Sequence, residues 1–285
     1  MFASNISVPD EIFTFKNTRP VKNEKSLSSC VFLSFSHRDF YLQPCYTLFM
    51  QYTHIKKATF LDRPNRFIAH VLLDGKKEPV HVKNTGRCRE LLLPNATVYL
   101  EESQNPARKT KYDLIGVEKI AEKPLLINMD SQAPNKVAAE WICQNKKYFP
   151  DLRHLKAEYT LGDSRFDFYA EYKDENGSDH KMLIEVKGVT LEMDGVALFP
   201  DAPTLRGLKH VKELTSFTGS GQYECMILLI VQMAGCKYFT PNRQTHADFA
   251  EALKAAGEAG VKVIAVECQV SPESLVAKDE IEVRL

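Results

Sequence analysis

Two charged residues, Glu185 and Lys187, lie one residue apart inside the apolar segment 183–191, LIEVKGVTL. Strand alternation places both side chains on one face, opposite Ile184 and Val186. Charged groups are rarely buried in a strand unless they are paired or functional, because their desolvation costs free energy. The pair therefore indicates either a salt-bridged sheet face or the reactive part of an active site.

A second carboxylate comes from the strand that precedes this segment. The turn sequence DENGSD separates the two strands and predicts a β-hairpin. In the first strand, Phe166 and Phe168 are expected on one face and Asp167 on the other. A strict two-residue turn would pair residue 167 with residue 186. A three- or five-residue loop, or one bulge, instead places Asp167 opposite Glu185.

Carboxylates that face each other across a hairpin repel unless a cation lies between them, since opposite Cβ atoms are roughly 4.5–5.5 Å apart. Hard carboxylate oxygens favour Mg²⁺ or Mn²⁺, so Asp167 and Glu185 are the predicted metal ligands. Lys187 could steady a water or the charge that develops on a phosphate. Glu140, on a predicted helix upstream, is a candidate third acid. The alternative is an exposed sheet face on which the same acids form cross-strand ion pairs with Arg165 and Lys187.

Three groups of basic residues could contact the phosphates of a nucleic acid. The first is a turn after a strand, and the second is a polar loop at residues 102–111. The third is one face of a predicted helix, where residues 206, 209 and 210 follow helical spacing. With one arginine from the hairpin, the predicted DNA-contacting residues are Arg87, Arg89, Arg108, Lys109, Lys111, Arg165, Arg206, Lys209 and His210. For each group, a solvated surface is the alternative.

The charge distribution divides the chain, although the formal net charge of its 285 residues is zero. Residues 50–121 contain 13 Lys and Arg against 8 Asp and Glu, whereas residues 122–285 contain 19 against 25. The basic part could attract DNA, which is the predicted partner. No apolar run reaches the roughly 18–20 residues that a membrane helix needs, so no membrane association is expected. Seven dispersed cysteines without a Cys-x-x-Cys pair favour free thiols and a cytoplasmic protein.

The first half of the chain contains two different patterns. Residues 1–49 show no sustained helical or strand period, and we expect an irregular extension that precedes a natural start at Met50. A real but poorly ordered tail is the alternative. About five short strands, separated by turn signals, occupy residues 50–122 and predict a small β-barrel.

Residues 123–285 alternate between helix and strand. The order is helix, two or three strands, helix, strand, helix, strand, which predicts a mixed α/β sheet with helices on both faces. The unbroken apolar run Cys225–Gln232 predicts a central buried strand. The predicted helices are Asn135–Lys146, Thr204–Phe217 and Thr245–Gly260. The pattern leaves the oligomeric state open, with a homodimer as one option.

The arrangement of Asp167 followed by Glu185-x-Lys187, with a helical Glu140 upstream, resembles the PD-(D/E)XK nuclease superfamily. More closely, five stretches are similar to the sugar fermentation stimulation protein A (SfsA) family. They are NTGR (84–87), SRFDF (164–168), IEVKGVTL (184–191), FPDAPTLRGLKHVKEL (199–214) and RQTHADFAEALKAAGEAGVKVIA (243–265). The resemblance extends from about residue 50 to residue 285.

This resemblance implies an α/β protein with an N-terminal OB-like barrel and a C-terminal restriction-endonuclease-like domain. It implies a bacterial protein that binds DNA without strong sequence preference and takes part in regulating sugar, especially maltose, metabolism. By the superfamily pattern, Asp167 and Glu185 would be metal ligands. Lys187 would then be the catalytic lysine and Glu140 an accessory acid. The motif leaves open whether the protein cleaves nucleic acid or only binds it.

Overall fold

The computed structural model describes residues 31–33 and 42–44 as short strands and, with side chains, residues 50–84, 86–121 and 123–285. The two short strands, β1 (Val31–Leu33) and β2 (Leu42–Pro44), pair antiparallel. The prediction of an irregular extension over residues 1–49 otherwise lies outside the described residues. No helix in the described part of the chain is both long and apolar enough to cross a membrane.

Five strands form a closed barrel near the start of the described chain. They are β4 (Ile55–Asp62), β5 (Ile68–Leu73), β6 (Lys76–Val82), β7 (Thr97–Glu102) and β8 (Tyr112–Lys119). Their hydrogen-bonded order is β6-β5-β4-β7-β8, and a parallel pairing of β6 with β8 closes the ring. β9 (Leu125–Asn128) pairs with β8 and extends this sheet past residue 122. The predicted small barrel is confirmed.

Strand alternation and one tight turn explain why this sequence closes into a barrel. In β7, Val98 and Leu100 are fully buried while Thr97 and Tyr99 are only partly buried, as expected when every second side chain fills the interior. β5 and β6 are joined by Asp74-Gly75. Residues 74 and 75 both have positive φ, 50° and 76°, which is the two-residue hairpin turn that Asp-Gly favours.

The second part of the structure is a ten-stranded mixed sheet that helices cover. Its strands are β3 (Met50–Gln51), β10 (Asp151–Leu161), β11 (Ser164–Lys173), β12 (Asp179–Val189), β13 (Leu191–Met193), β14 (Val196–Phe199), β15 (Glu224–Val231), β16 (Tyr238–Pro241), β17 (Lys262–Ser271) and β18 (Ser274–Val283). The helices are α1 (Ala133–Gln144), α2 (Leu205–Gly219) and α3 (Ala247–Glu258). The strand order is β10-β11-β12-β15-β17-β18-β16-β14-β13, and β3 pairs with β18.

The parallel strands β12, β15 and β17 form the middle of this sheet. β15 is buried along nearly its whole length, which accounts for its unbroken apolar sequence. α1 packs on one face through residues such as Val137 and Trp141. α2 and α3 pack on the other face, where Leu214 and Phe249 belong to the core that continues into the barrel. The predicted mixed α/β sheet with helices on both faces is confirmed.

The helix starts follow from local sequence. The side chain of Thr204 accepts a hydrogen bond from the Gly207 N–H at 3.0 Å, and α2 therefore begins at Leu205. α1 begins at Ala133, two residues before the predicted start. Pro134 is favourable there, because the N–H groups of the first helical turn have no acceptor within the helix. A proline, which lacks an N–H, therefore loses no helical hydrogen bond at this position.

Candidate functional site

The hairpin of β11 and β12 brings Asp167 to Glu185. Its ladder runs from Lys173 opposite Asp179 to Phe168 opposite Ile184, so Asp167 and Glu185 are the next residues beyond the last pair. The connecting turn spans residues 174–178, so a five-residue loop sets the register. The sequence offered this loop as one of its alternatives.

Beyond the last backbone pair of β11 and β12, the side chain of Asp167 takes part in the hydrogen bonding between the two strands. Its Oδ2 accepts a hydrogen bond from the backbone N–H of Val186 at 2.8 Å. Its Oδ1 accepts one from Nδ2 of Asn135, in the first turn of α1, at 2.9 Å. Burial, together with the nearby charge of Glu185, raises the pKa of Asp167 above its usual value. Two donors from two elements therefore fix the orientation of this carboxylate.

The predicted placement of Phe166 and Phe168 on one face is wrong. Phe168 packs in the core beneath α1, whereas Phe166 packs with Phe217 of α2, their ring centroids 5.7 Å apart. The alternation shifts by one residue at Asp167, where the backbone ladder with β12 ends. Asp167 consequently reaches Asn135 of α1, whereas Glu185 contacts His210 of α2.

Glu185 is only 3% exposed, and two nitrogen-bearing side chains contact its carboxylate. Nδ1 of His210 and Nζ of Lys187 both contact its Oε1. Burial alone would raise the pKa of Glu185, but the hydrogen bond from His210 and the charge of Lys187 hold it below its usual value. The second oxygen, Oε2, is buried and has no hydrogen-bond partner in the structure. We call Asp167, Glu185, Lys187, His210 and Asn135 the carboxylate site.

This site fits a divalent cation in part. The described residues contain no group of three or more His, Cys, Asp and Glu side chains arranged to hold a metal ion. Two hard carboxylates are nevertheless brought together, and Oε2 of Glu185 is a buried acceptor that lacks a donor. Asp167 and Glu185 could hold Mg²⁺, Mn²⁺ or Ca²⁺ if water or a bound phosphate supplied the remaining oxygens.

Glu140 does not lie at the carboxylate site, in contrast to its predicted role as accessory acid. It belongs to the part of α1 that contacts β3, and neither Asp167 nor Glu185 is among the groups that shift its pKa. The side chain of α1 that reaches Asp167 is Asn135, more than one helical turn earlier. Glu140 thus lies beside β3 rather than at the end of the hairpin.

His210 also differs from its prediction as a surface residue on one face with Arg206 and Lys209. It is buried against Glu185, while the other two side chains are exposed. Lys209 pairs with Glu213 along the helix at 3.4 Å. His210 therefore belongs to the carboxylate site, and the exposed basic face of α2 consists of the remaining side chains.

The barrel loop that contains Arg87 contacts the segment that precedes α2. Oδ2 of Asp201, in the segment before α2, accepts a hydrogen bond from the Arg87 N–H at 3.0 Å. Gly86 is required beneath this contact, because a Cβ there would lie 2.5 Å from the same oxygen. The guanidinium of Arg63 donates to the carbonyl oxygens of Gly86 and Arg87 at 3.1 and 2.9 Å. The side chains of Arg87 and Arg89 themselves are exposed.

The other predicted DNA contacts are partly engaged within the protein. Arg108 forms two hydrogen bonds to the buried Asp113, at 2.8 and 2.5 Å, so it is not a freely available phosphate ligand. Lys111 pairs with Glu102 at 3.0 Å but is exposed, as is Lys109.

Arg165 pairs with Glu158 of β10 and not with Glu185. The alternative of an exposed, salt-bridged sheet face is therefore wrong, since Glu185 is buried. Arg165 is exposed at the start of β11, where it can still meet solvent.

A buried polar cluster that the sequence did not indicate supports the strand of Lys187. Nε2 of Gln232 donates to the carbonyl oxygens of Asn128 and Asp130, both at 3.1 Å. Gly188 passes directly beneath: a Cβ there would lie 2.5 Å from Oε1 of Gln232 and 2.7 Å from Cγ of Pro134. The only sequence signal for this cluster was the glycine after Lys187, because a glycine inside a strand often marks a place where other atoms approach the backbone closely.

Comparisons with known proteins agree with this architecture. The family described as "Sugar fermentation stimulation protein RE domain" matches residues 132–274, and "SfsA N-terminal OB domain" matches residues 61–125. A sugar fermentation stimulation protein homolog of Desulfitobacterium hafniense strain Y51 is 54% identical over 236 residues, which are 83% of this chain and 99% of the homolog. One of Ruminiclostridium cellulolyticum is 48% identical over 83% of this chain and 100% of its own.

A solved structure is also similar. The structure of Pyrococcus furiosus SfsA in complex with Ca²⁺ matches with a TM-score of 0.71 and 28% identity, over 84% of this chain and 100% of that one. The family matches and the close relatives together cover the barrel and the α/β sheet that holds the carboxylate site. This chain therefore belongs to the sugar fermentation stimulation protein (SfsA) family.

Proposed function

We propose that this protein binds DNA without strong sequence preference, across the barrel and the start of α2, in the bacterial cytoplasm. The main support is that exposed basic side chains of the barrel and of α2 lie on either side of the contact between the barrel loop and the segment before α2. Arg87 and Arg89 are exposed on the barrel loop that Asp201 holds. Arg206 and Lys209 are exposed on α2, the helix that Asp201 precedes.

These side chains suit the phosphate backbone rather than base edges. Arginine and lysine contacts to phosphates supply affinity that depends strongly on salt but little on sequence. Lys109 and Lys111 on the barrel loop can add to this surface, because both are exposed. A role in regulating sugar metabolism, including maltose, is part of the proposal and is supported only by the family's name and resemblance.

We further propose that Asp167 and Glu185 bind a divalent cation, Mg²⁺ or Mn²⁺. The relative from Pyrococcus furiosus was solved with Ca²⁺, which supports a divalent ion in this family. The buried, unpartnered Oε2 of Glu185 is the observation in this chain that favours one. Such an ion would supply Lewis-acid activation of a water and of a phosphodiester.

The second candidate function is a cation-dependent nuclease, which the position of Lys187 favours. Lys187 contacts Glu185, and its charge also acts on Asp167. The chain's own part in such chemistry would be positional: His210 keeps Glu185 ionised, and Asn135 orients Asp167. Lys187 would have to leave Glu185 to meet the charge that develops on a phosphate.

Binding and cleavage can be tested in one set of experiments. Fluorescence anisotropy would measure affinity for labelled duplex DNA, single-stranded DNA and RNA in EDTA, Mg²⁺ and Mn²⁺, and gels would reveal cleavage. We expect DNA binding in EDTA and Mg²⁺ alike, and Glu185→Ala should abolish any cleavage while binding in EDTA persists. Glu258→Gln, an exposed change on α3, is the matched control. Absence of DNA binding at low salt would refute the primary proposal, and absence of cleavage in every condition would remove the nuclease.

A further inference from the structure

A cavity of about 250 Å³ beside the barrel shares no lining residue with the carboxylate site. Its wall includes Phe67 before β5, His81 near the end of β6, Arg108 and Asp113 around the start of β8, and Gln132 before α1. Pockets that enclose a drug-sized molecule occupy roughly 300–1,000 Å³. This cavity therefore suits one flat group of a longer ligand rather than a whole small molecule.

Phe67 presents an aromatic ring to solvent at this cavity. It is 53% exposed and makes no ring contact within the described chain. Its backbone is nevertheless held on both sides. The N–H of Phe67 donates to Oδ1 of Asn65 at 2.9 Å, and its carbonyl oxygen accepts from the N–H of Val82 at 2.8 Å. A ring that is fixed but uncovered offers its face to a planar partner.

Two further groups of the wall are planar and held in place. The guanidinium of Arg108 donates to both oxygens of Asp113, at 2.8 and 2.5 Å, and Nδ1 of His81 contacts the same carboxylate at 2.9 Å. Burial alone would raise the pKa of Asp113, but these donors hold it below its usual value. The ionised Asp113 thus orients both groups. Guanidinium and imidazole planes, like aromatic rings, stack on nucleobases.

Gln132 supplies a polar group that the protein itself leaves unused. Its backbone N–H donates to Oδ1 of Asp130 at 2.9 Å, whereas its side chain makes no hydrogen bond within the described residues. A side-chain amide carries both donors and an acceptor, so it can meet the edge of any base. Gln132 also lies three positions before Asn135, within about one helical turn of the side chain that holds Asp167.

Two exposed cations flank the cavity residues in sequence. Arg66 precedes Phe67 and Lys109 follows Arg108, and neither Arg66 nor Lys109 forms an ion pair in the part of the chain that the structure describes. Inside the cavity, by contrast, Arg108 and Lys83 are already paired with buried acids. Phosphate contacts are therefore available beside the cavity rather than within it, which fits a nucleotide in a strand better than an isolated anion.

We propose that this cavity binds one unpaired base of single-stranded DNA, stacked on Phe67, with the adjoining phosphates at Arg66 and Lys109. The inference rests on the proposed function of DNA binding and names the form of DNA that the barrel recognises. A base in a duplex is stacked on both faces and paired along its edge, so only an unpaired base can enter. Because every base has a π-face, stacking adds affinity without demanding a sequence.

A measurement of base-dependent affinity tests this cavity. Fluorescence anisotropy in EDTA would compare a thymidine strand with a strand of equal length in which every residue is abasic, so that both carry the same phosphates. We expect the wild type to bind the thymidine strand at least about fivefold more tightly, and Phe67→Ala to remove most of that difference. Equal binding of the two strands by the wild type, or a difference that survives Phe67→Ala, would overturn the proposal.

Matched variants separate stacking from apolar contact and from charge. Phe67→Trp should keep the preference for the thymidine strand, whereas Phe67→Leu, which retains bulk without a ring, should lose it. Met193→Ala, a similarly exposed apolar change on β13, should leave the preference unchanged. Replacing Arg66 and Lys109 by Ala should weaken both strands alike and make the salt dependence shallower. A leucine variant that keeps the full preference would overturn stacking on Phe67.

Failure of this inference can be told from failure of the proposed function. A wild type that binds duplex DNA but shows no preference for bases would overturn the cavity proposal and leave DNA binding intact. A wild type that binds no DNA at low salt would overturn both. A uridine strand of RNA distinguishes the source of the unpaired base. We expect the DNA strand to bind at least as tightly, and tighter binding of RNA would overturn the assignment to DNA.

Discussion

The Asp167 carboxylate accepts a hydrogen bond from the backbone N–H of Val186, 2.8 Å from its Oδ2, at the point where the β11–β12 ladder ends. The side chain of Asp167 thus takes the place of a backbone acceptor on β11. This fixes Asp167 next to the strand residue that precedes Lys187 and follows Glu185. The geometry of the carboxylate site therefore depends on the hairpin register and on the donors that hold Asp167.

Asn135 should be the side chain that determines how well Asp167 is held. Asn135→Ala removes a 2.9 Å hydrogen bond to a partly buried carboxylate, and we expect a loss of about 1–3 kcal/mol in the free energy of unfolding. Urea denaturation measures this loss. Gln144→Ala, an exposed change at the end of the same helix, is the control and should stay within about 0.5 kcal/mol. An equally small effect for Asn135→Ala would show that Asp167 does not need this donor.

Gly188 should not tolerate a side chain. Gly188→Ala places a Cβ 2.5 Å from Oε1 of Gln232 and 2.7 Å from Cγ of Pro134, and overpacking of this kind costs roughly 1–3 kcal/mol. Thermal unfolding would show this as a lower melting temperature. Gly219→Ala, where the new Cβ would meet nothing within 4 Å, should be neutral or slightly stabilising. If both variants have the same melting temperature, the space around Gly188 is large enough for a side chain.

Arg87 and Arg89 should contribute to DNA binding through charge. Replacing both by Ala should weaken duplex binding for all sequences alike. The slope of log K against log salt should also become shallower by about 0.9 for each phosphate that the variant no longer neutralises. Affinity measured between about 50 and 200 mM salt gives the slope. Lys181→Ala, an exposed change on β12, serves as the control. An unchanged slope in the arginine variant would exclude this loop from the DNA-binding surface.

Glu140 should make the stability of the 285-residue chain depend on pH. Its folded pKa is raised from an ordinary 4.5 to about 7, so its favourable contribution is complete below about pH 4.5 and is lost as the pH rises towards 7. Relative to Glu140→Gln, the chain should lose about 1–2 kcal/mol over this range, allowing for screening by water. Urea denaturation at pH 4.5 and 7.5 measures the difference. A pH-independent difference between the two proteins would contradict the raised pKa.

Strand alternation and turn chemistry were sufficient to predict the barrel and the hairpin of β11 and β12. Both rest on local rules: the period of two along a strand and a short polar turn between strands. The same rules could not predict the shift at Asp167, because it occurs where a side chain replaces a ladder hydrogen bond. Phe166 and Phe168 were consequently placed on one face, although they pack on opposite faces.

Helical spacing identified neighbours but not the face that packs inward. It grouped His210 with Lys209, although His210 is buried and Lys209 is exposed. On α1 it favoured Glu140 for its charge, whereas the uncharged Asn135 holds Asp167. The edge strand β10 and the inner strand β18 were also missed, since their side chains are mostly partly or fully exposed and β18 is rich in charge. These features depend on tertiary packing, which a single sequence does not contain.

Calorimetric titration of Mg²⁺, Mn²⁺ and Ca²⁺ into the metal-free protein tests the carboxylate site most directly. We expect the wild-type chain to bind a divalent cation, and Asp167→Asn and Glu185→Gln each to weaken binding at least tenfold, which is about 1.4 kcal/mol. Glu258→Gln should bind as the wild type does. Absence of cation binding by the wild-type chain, or equal affinity in the two site variants, would contradict a metal site formed by Asp167 and Glu185.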